Sequence, residues 1–255
     1  MGHLLAIDIG NTNITAGIFK GNKLLGKTKV PTSSYSSYIR RFKALIKYAG
    51  TEIKNVDEAI VSSVVPLALA RLVVELRKMS TTIKITIIGR DLKVPIKNMY
   101  RIKNEVGQDR LVNAFAAKEL YGAPSVVIDF GTAITFDIVS KRGHYLGGLI
   151  LPGIELSLSG LYRNTALLPK VELTSAPSII GKDTVNSMRG GIIFGFGAMC
   201  DGLVAQYKKI LGSRVKVIAT GGNSKLMKKY SGSIQRTDED LTLKGLHLLR
   251  HKKVI

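Results

Sequence analysis

Two short stretches constrain the fold more than any other part of the chain: "LLAIDIGNTN" at residues 4–13 and "VVIDFGTAIT" at residues 126–135. Each carries an apolar strand pattern into an aspartate, sets a glycine two residues later, and follows it with a threonine. Each then leads into a hairpin pattern, 14–19 with 23–30 around Gly21-Asn22 and 134–139 with 144–150. Asp8 and Asp129 lie roughly half the chain apart, a spacing that suggests an internal duplication rather than a short tandem repeat.

The surrounding pattern alternates helix and strand in the same order twice. Helix-spaced Ile39, Phe42, Leu45 and Ile46 predict an amphipathic helix over 34–49. A buried strand is expected at 59–65, a helix begun near Pro66 at 67–78, and a strand at 83–88. The later half repeats this with a strand at 125–130, helices at 153–163 and 183–211, a strand at 215–220 and a closing helix at 240–250. The expectation is an α/β chain of two halves, 1–120 and 121–255, with no low-complexity linker between them.

A glycine just after a strand lets the backbone turn tightly and admits a ligand close to the main chain, where amides and Thr or Asn side chains donate to phosphate oxygens. An aspartate at the same place adds a hard oxygen ligand suited to Mg²⁺ that keeps several waters. One Asp-x-Gly is an ordinary turn; two copies, each at a strand end and each opening a hairpin, favour a pair of phosphate loops. "ATGG" at 219–222 has the same character, and its glycines suit close approach to a nucleoside. Between the repeats stands "EVGQDRLVNAFAAKEL" at 105–120, a helix pattern with an apolar stripe of Val112, Phe115, Ala116 and Leu120. Asp109 and Asn113 share another face at i, i+4. Asp109 and Arg110 fall in its first turn, where a carboxylate can take a proton from a hydroxyl and a guanidinium can bind a carboxylate or phosphoryl oxygen; an acidic residue that merely suits the helix dipole is the alternative.

Composition excludes several other chemistries. One cysteine, Cys200, leaves no intramolecular disulfide and disfavours a cysteine metal site. His3, His144, His247 and His251 have no zinc-like spacing, and no serine sits in a Gly-x-Ser-x-Gly elbow. No signal peptide pattern precedes Asp8, and uncharged runs such as 59–70 are short of a bilayer span, so a cytoplasmic protein with no membrane partner is expected. Lys+Arg number 38 against Asp+Glu 18, a net charge of +20. The basic residues are scattered, with a modest cluster at Arg250, Lys252 and Lys253, and no aromatic-basic interleaving, so a nucleic-acid partner is not expected.

In plan the paired loops resemble the acetate and sugar kinase, Hsp70 and actin superfamily: duplicated ribonuclease-H-like (actin-like ATPase) halves with a nucleotide cleft between them. More closely, "DIGNTN" from Asp8, "GQDRLVN" from Gly107, "DFGTAITFD" from Asp129, "GGLILPG" from Gly147, "NTALLPKVEL" from Asn164, "IGKDTVNSMRGGIIFG" from Ile180 and "TGG" from Thr220 resemble type III pantothenate kinase. The resemblance implies ATP-dependent phosphorylation of pantothenate, the first step of coenzyme A biosynthesis, with ATP, Mg²⁺ and a monovalent cation, K⁺ or NH₄⁺. It implies a first ATP loop of Ala6, Ile7, Asp8, Ile9, Gly10, Asn11, Thr12 and Asn13, with Asp8 holding Mg²⁺ through water. Thr132, Gly221 and Gly222 would also contact ATP, and Asp129 would bind the monovalent cation. Asp109 would be the general base within the pantothenate motif of Gly107, Gln108, Asp109 and Arg110, joined by Tyr100 and Thr184. A homodimer, with helix surfaces at 188–197 toward the partner, is implied as well. Lys103 stands where the family pattern has proline, and Gly190 where it often has serine.

Two rival readings keep the fold and change the function: a catalytically silent relative acting as a transcriptional accessory, and an ATPase with no acceptor alcohol. The trio Asp8, Asp109 and Asp129 argues against the first, and the Gly107–Arg110 motif against the second.

Overall fold

The computed structural model describes residues 2–175, 178–250 and 252; of the residues named above, His251 and Lys253 lie outside these. The chain divides into two compact units, residues 1–96, 102–116 and 241–255 in the first, and 97–101 with 117–240 in the second.

The first unit begins with β1 (His3–Ile9), β2 (Asn13–Lys20) and β3 (Lys23–Pro31), followed by α1 (Tyr38–Tyr48), β4 (Val56–Ser63), α2 (Pro66–Met79) and β5 (Lys84–Ile87). The expected helix over 34–49 is a 3-10 turn at Tyr35–Ser37 that passes directly into α1. The sheet order is β3-β2-β1-β4-β5, antiparallel through the hairpin and parallel beyond β1. β1 is central and buried on both faces, which is why its sequence reads as an almost unbroken apolar run. β3 is the edge, and its exposed Lys23, Lys27 and Lys29 discourage another strand from pairing there. Leu5, Ile7 and Ile9 of β1 and Ile14, Ala16 and Ile18 of β2 form one core with Phe42, Leu45 and Ile46 of α1 and Leu72 and Leu76 of α2.

α3 (Gln108–Tyr121) crosses from the residues of the first unit to those of the second, and its predicted stripe ends early because Leu120 is exposed. The second unit contains β6 (Ser125–Phe130), β7 (Ala133–Val139), β8 (Tyr145–Pro152), α4 (Ile154–Arg163), α5 (Thr184–Leu211), β9 (Lys216–Thr220), α6 (Ser224–Lys228) and β10 (Arg236–Thr237). Its sheet order, β10-β9-β6-β7-β8, is the first sheet's order over again, with β6 in the place of β1. Val126, Ile128 and Phe130 of β6 pack with Ile134, Phe136 and Ile138 of β7, Ile154 of α4, and Cys200, Val204 and Leu211 of α5. By length and hydropathy α5 could cross a bilayer, but these packed positions make it a core helix of this unit.

The closing helix, α7 (Leu241–Leu249), belongs to the first unit, whereas the sequence division at residue 120 assigns it to the second half. The reason is the open face of the first sheet, formed by Leu4, Ala6, Gly17 and Phe19. Phe19 stacks on His247 with ring centroids 4.6 Å apart, and His247 Nε2 lies 2.7 Å from the Gly21 carbonyl. A Cβ on Gly17 would sit 2.9 Å from Leu243. Leu241, Leu243, Leu246 and Leu249 are all buried, each supplying about 1.5–3 kcal/mol of burial.

Candidate active site

In the first unit the predicted residues gather at the carboxyl ends of β1 and β4. Ala6, Ile7 and Ile9 are buried strand residues, while Asp8 is half-buried and Asn11 and Thr12 are exposed at the tip. Asp8 Oδ1 is itself buried, and the residue is flanked in register by Thr15 on β2 and Ser62 on β4. The turn is closed by Gly10 N–H donating to the Asn13 carbonyl at 3.0 Å. Thr32, just past β3, ties it down: its amide donates to the Thr12 carbonyl at 2.9 Å and its hydroxyl to the Gly10 carbonyl at 2.7 Å.

The substrate motif is built against the same strand ends. Val64 N–H donates to the Ile9 carbonyl at 3.1 Å, carrying the chain on from β4. A Cβ on Gly107 would meet Val64 Cγ1 at 3.4 Å and would collide with the Asp109 carboxylate, so a side chain at 107 would displace that carboxylate. Gly89, at φ +87°, likewise leaves room for the Gln108 amide, to which a Cβ would come within 2.7 Å. Asp109 Oδ1 accepts from the Arg110 N–H at 2.8 Å in the first turn of α3. Burial pushes the Asp109 carboxyl above the ordinary carboxylate range, and the Arg110 N–H and guanidinium hold back part of that rise. Arg110 is 7 % exposed, so its side chain does not lie on a solvated helix face. Asn113, one turn on, is buried and accepts from the Thr242 hydroxyl at 2.7 Å, fastening α3 to α7.

In the second unit the residues collect at the matching strand ends. Asp129 is half-buried with Oδ1 lodged between two glycines: a Cβ on Gly131 would lie 3.5 Å away, and one on Gly221, at φ +84°, would collide with it. The close approach that Gly221 permits within this unit is thus by Asp129 and by the Phe130 carbonyl, while Gly222 is exposed. Thr132 is exposed at the loop tip, and its carbonyl accepts from Gly153 N–H at 3.1 Å. A side chain at Gly153 would run into the Gly131 and Thr132 carbonyls. Tyr100 lays its ring over Gly147, where a Cβ would be 3.1 Å from Tyr100 Cδ2, and its amide donates to Asn98 Oδ1 at 2.9 Å. Thr184 is exposed at the start of α5, and the capping residue is Asp183, which accepts from Asn186 N–H at 2.8 Å. Ser62, Val64, Thr32 and Gly153 were not singled out from sequence; for Ser62 the available signal was a hydroxyl at the end of an apolar strand.

The donor set suits Mg²⁺ better than a cage-bound metal. Among the described residues no group of three or more His, Cys, Asp or Glu side chains converges. A single strand-end carboxylate with hydroxyl residues beside it fits a cation that takes its remaining ligands from water and phosphate.

A family model described as type III pantothenate kinase matches residues 4–206. The chain is 42% identical to the type III pantothenate kinase of Myxococcus xanthus, the match covering 96% of this chain and 97% of that protein. It is 41% identical to the one from Anaeromyxobacter dehalogenans, covering 98% and 99%. Among solved structures, the ethanolamine utilization protein EutJ from Carboxydothermus hydrogenoformans aligns with a TM-score of 0.57 at 14% identity, over 98% of this chain and 90% of that one. This last likeness is one of fold alone, and it agrees with the duplicated actin-like plan.

Proposed function

The chain belongs to the type III pantothenate kinase family, and from that premise we propose that it transfers the γ-phosphoryl group of ATP to the primary hydroxyl of pantothenate, the first step of coenzyme A biosynthesis. The observation that carries the reading is Asp109: a half-buried carboxylate in the first turn of α3, seated in the space that Gly107 leaves, and raised in pKa by its desolvation. A base with these properties accepts the hydroxyl proton as the acceptor oxygen bonds to phosphorus and the bond to the ADP leaving oxygen breaks. Arg110 holds an anionic oxygen beside it, either the pantothenate carboxylate or the phosphoryl group.

The exposed tip of the first loop, Asn11 and Thr12, offers its amides and side chains to ATP phosphates, joined by Thr132, and the exposed Gly222 leaves room for the nucleoside. Asp8 would hold Mg²⁺ through water, and bound there the ion neutralises charge building on the transferring phosphoryl group. Asp129 would hold the monovalent cation, K⁺ or NH₄⁺, and Tyr100, Gln108 and Thr184 would line the pantothenate site. A homodimer formed through the solvent side of α5 and a cytoplasmic location complete the reading; Gly191, Gly195 and Ala198 are exposed on that side.

The test is a coupled ADP-release assay with ATP and Mg²⁺, with and without pantothenate, in K⁺ and then in Na⁺ alone. Pantothenate-dependent ADP release, faster in K⁺, is expected. ADP release indifferent to pantothenate in both salts would refute the kinase reading.

A further inference from the structure

Ser62 is fully buried, and its hydroxyl has no hydrogen-bond partner among the described residues. Leaving a buried donor unsatisfied is costly, and buried polar groups in folded proteins are nearly always paired. The residues just before it on β4 are Ala59, Ile60 and Val61, so an apolar side chain would suit the strand better if the unliganded fold were the only consideration. Its position explains the exception. Ser62 is the parallel register partner of Asp8, and partnered residues on adjacent strands present their side chains to the same sheet face. Two residues further along, Val64 Cγ1 lies 3.4 Å from where a Cβ on Gly107 would sit, and that missing side chain makes room for Asp109. The second sheet repeats the pairing: the parallel partner of Asp129 is Thr220, again a buried hydroxyl residue.

We propose that Ser62 is a positioning residue for phosphoryl transfer, its hydroxyl taking its hydrogen-bond partner from the water shell of the cation held by Asp8. This rests on the kinase reading for the identity of that cation, and it assigns Ser62 no contact with pantothenate. It accounts for a hydroxyl that the unliganded fold leaves unsatisfied at the one strand end where a hydrated cation is expected.

Ser125 is the control. It too is fully buried, with a hydroxyl that has no partner among the described residues, but it starts β6, at the opposite end of the strand from Asp129. Ser62→Ala, Ser62→Thr and Ser125→Ala in the full chain are compared by thermal melting without ligand and by Mn²⁺ titration, followed by electron paramagnetic resonance, in the presence of ATP. Ser62→Ala should melt no lower than wild type and bind Mn²⁺ with ATP about 10-fold more weakly, the usual order for losing a group that orients a metal's ligands. Ser125→Ala should leave Mn²⁺ affinity unchanged, and Ser62→Thr should restore most of it. Unchanged Mn²⁺ affinity in Ser62→Ala overturns the proposal. So does a lowered melting temperature with normal affinity, or a Thr variant that melts like wild type but binds as weakly as Ala. The titration does not involve pantothenate: a wild type that binds Mn²⁺ with ATP yet fails to phosphorylate pantothenate refutes the kinase reading alone. A wild type that binds no Mn²⁺ with ATP refutes both.

Discussion

The loop after β1 and the loop after β6 begin alike, with an aspartate, an apolar residue and a glycine, and are then fixed by different means. Three residues, Gly10 to Thr12, separate β1 from β2, whereas two, Gly131 and Thr132, separate β6 from β7. The first is clamped by a side chain and a backbone amide together, the Thr32 hydroxyl and N–H; the second by backbone alone, through Gly153 pressed against its carbonyls. In both sheets the clamp is the residue immediately beyond the third strand. The sheet faces behind the loops differ too. Thr15 is followed two residues on by Gly17, which makes room for Leu24 and Leu243, while Thr135 is followed by Asp137, a fully buried carboxylate. Asp137 accepts from the Tyr145 hydroxyl at 2.9 Å and from the Thr135 hydroxyl at 3.1 Å. A duplicated frame has kept its strand order and its strand-end aspartates while one copy became apolar behind the loop and the other polar. The third carboxylate, Asp109, has no counterpart in the repeat.

The largest effect should come from that unrepeated residue. Asp109→Asn is expected to lower kcat by roughly 10²–10⁴-fold with ATP affinity little changed, measured by steady-state kinetics and nucleotide titration. Because burial raises the Asp109 pKa, wild-type kcat/KM should fall on the acid side through a pKa above the ordinary value for aspartate. The sign for stability runs the other way. Between the unfolded and folded pKa values the folded state binds more protons, so this group's contribution to stability declines as pH rises through that window. Asp109→Asn should therefore not lower the melting temperature at pH 7; a clear drop would mean that the carboxylate is held by structural contacts rather than kept for chemistry.

Next in size is the pair of loop glycines. Gly153→Ala places a methyl group against two backbone carbonyls that cannot move independently, and should cost about 1–3 kcal/mol in chemical denaturation. Gly10→Ala meets only the Asn13 carbonyl, at 3.2 Å, and should cost less. Equal losses would erase the distinction between side-chain and backbone clamping. Smaller again is Tyr145→Phe, which removes one donor from Asp137 while the Thr135 hydroxyl remains, and should cost about 0.5–1.5 kcal/mol, with kinetics unchanged. A loss of activity larger than the loss of stability would bring the Asp137 network into the site.

The duplicated plan could be read from the sequence because its signals are local: an apolar run, Asp-x-Gly, a hairpin turn. The place of Asp109 in the first turn of α3 was legible because a carboxylate after glycine at a helix start is a local pattern as well. Other features depend on contacts remote in sequence. Only the register of β1 against β4 brings Ser62 beside Asp8, and only the return of the chain beyond β3 brings Thr32 to the first loop. The glycine of "TGG" read as a place for a nucleoside, and within its own unit the space is filled by Asp129, a contact between strands that no window of sequence contains. That α7 groups with the first sheet, and not with the residues around it in sequence, depends on such contacts too. Its leucine spacing announces a helix, and nothing local says which of two similar sheets lacks a cover.

That cover has a consequence for how the protein is made. His247 reaches Gly21 across 226 residues of chain, so β1 and β2 leave the ribosome long before the helix that shields Leu4, Ala6 and Phe19 exists. At ordinary elongation rates the delay is on the order of ten to forty seconds. Every strand of the second sheet is synthesised within that interval. The unit begun first is completed last, and the nascent chain presents an uncovered apolar sheet face to chaperones for most of its synthesis.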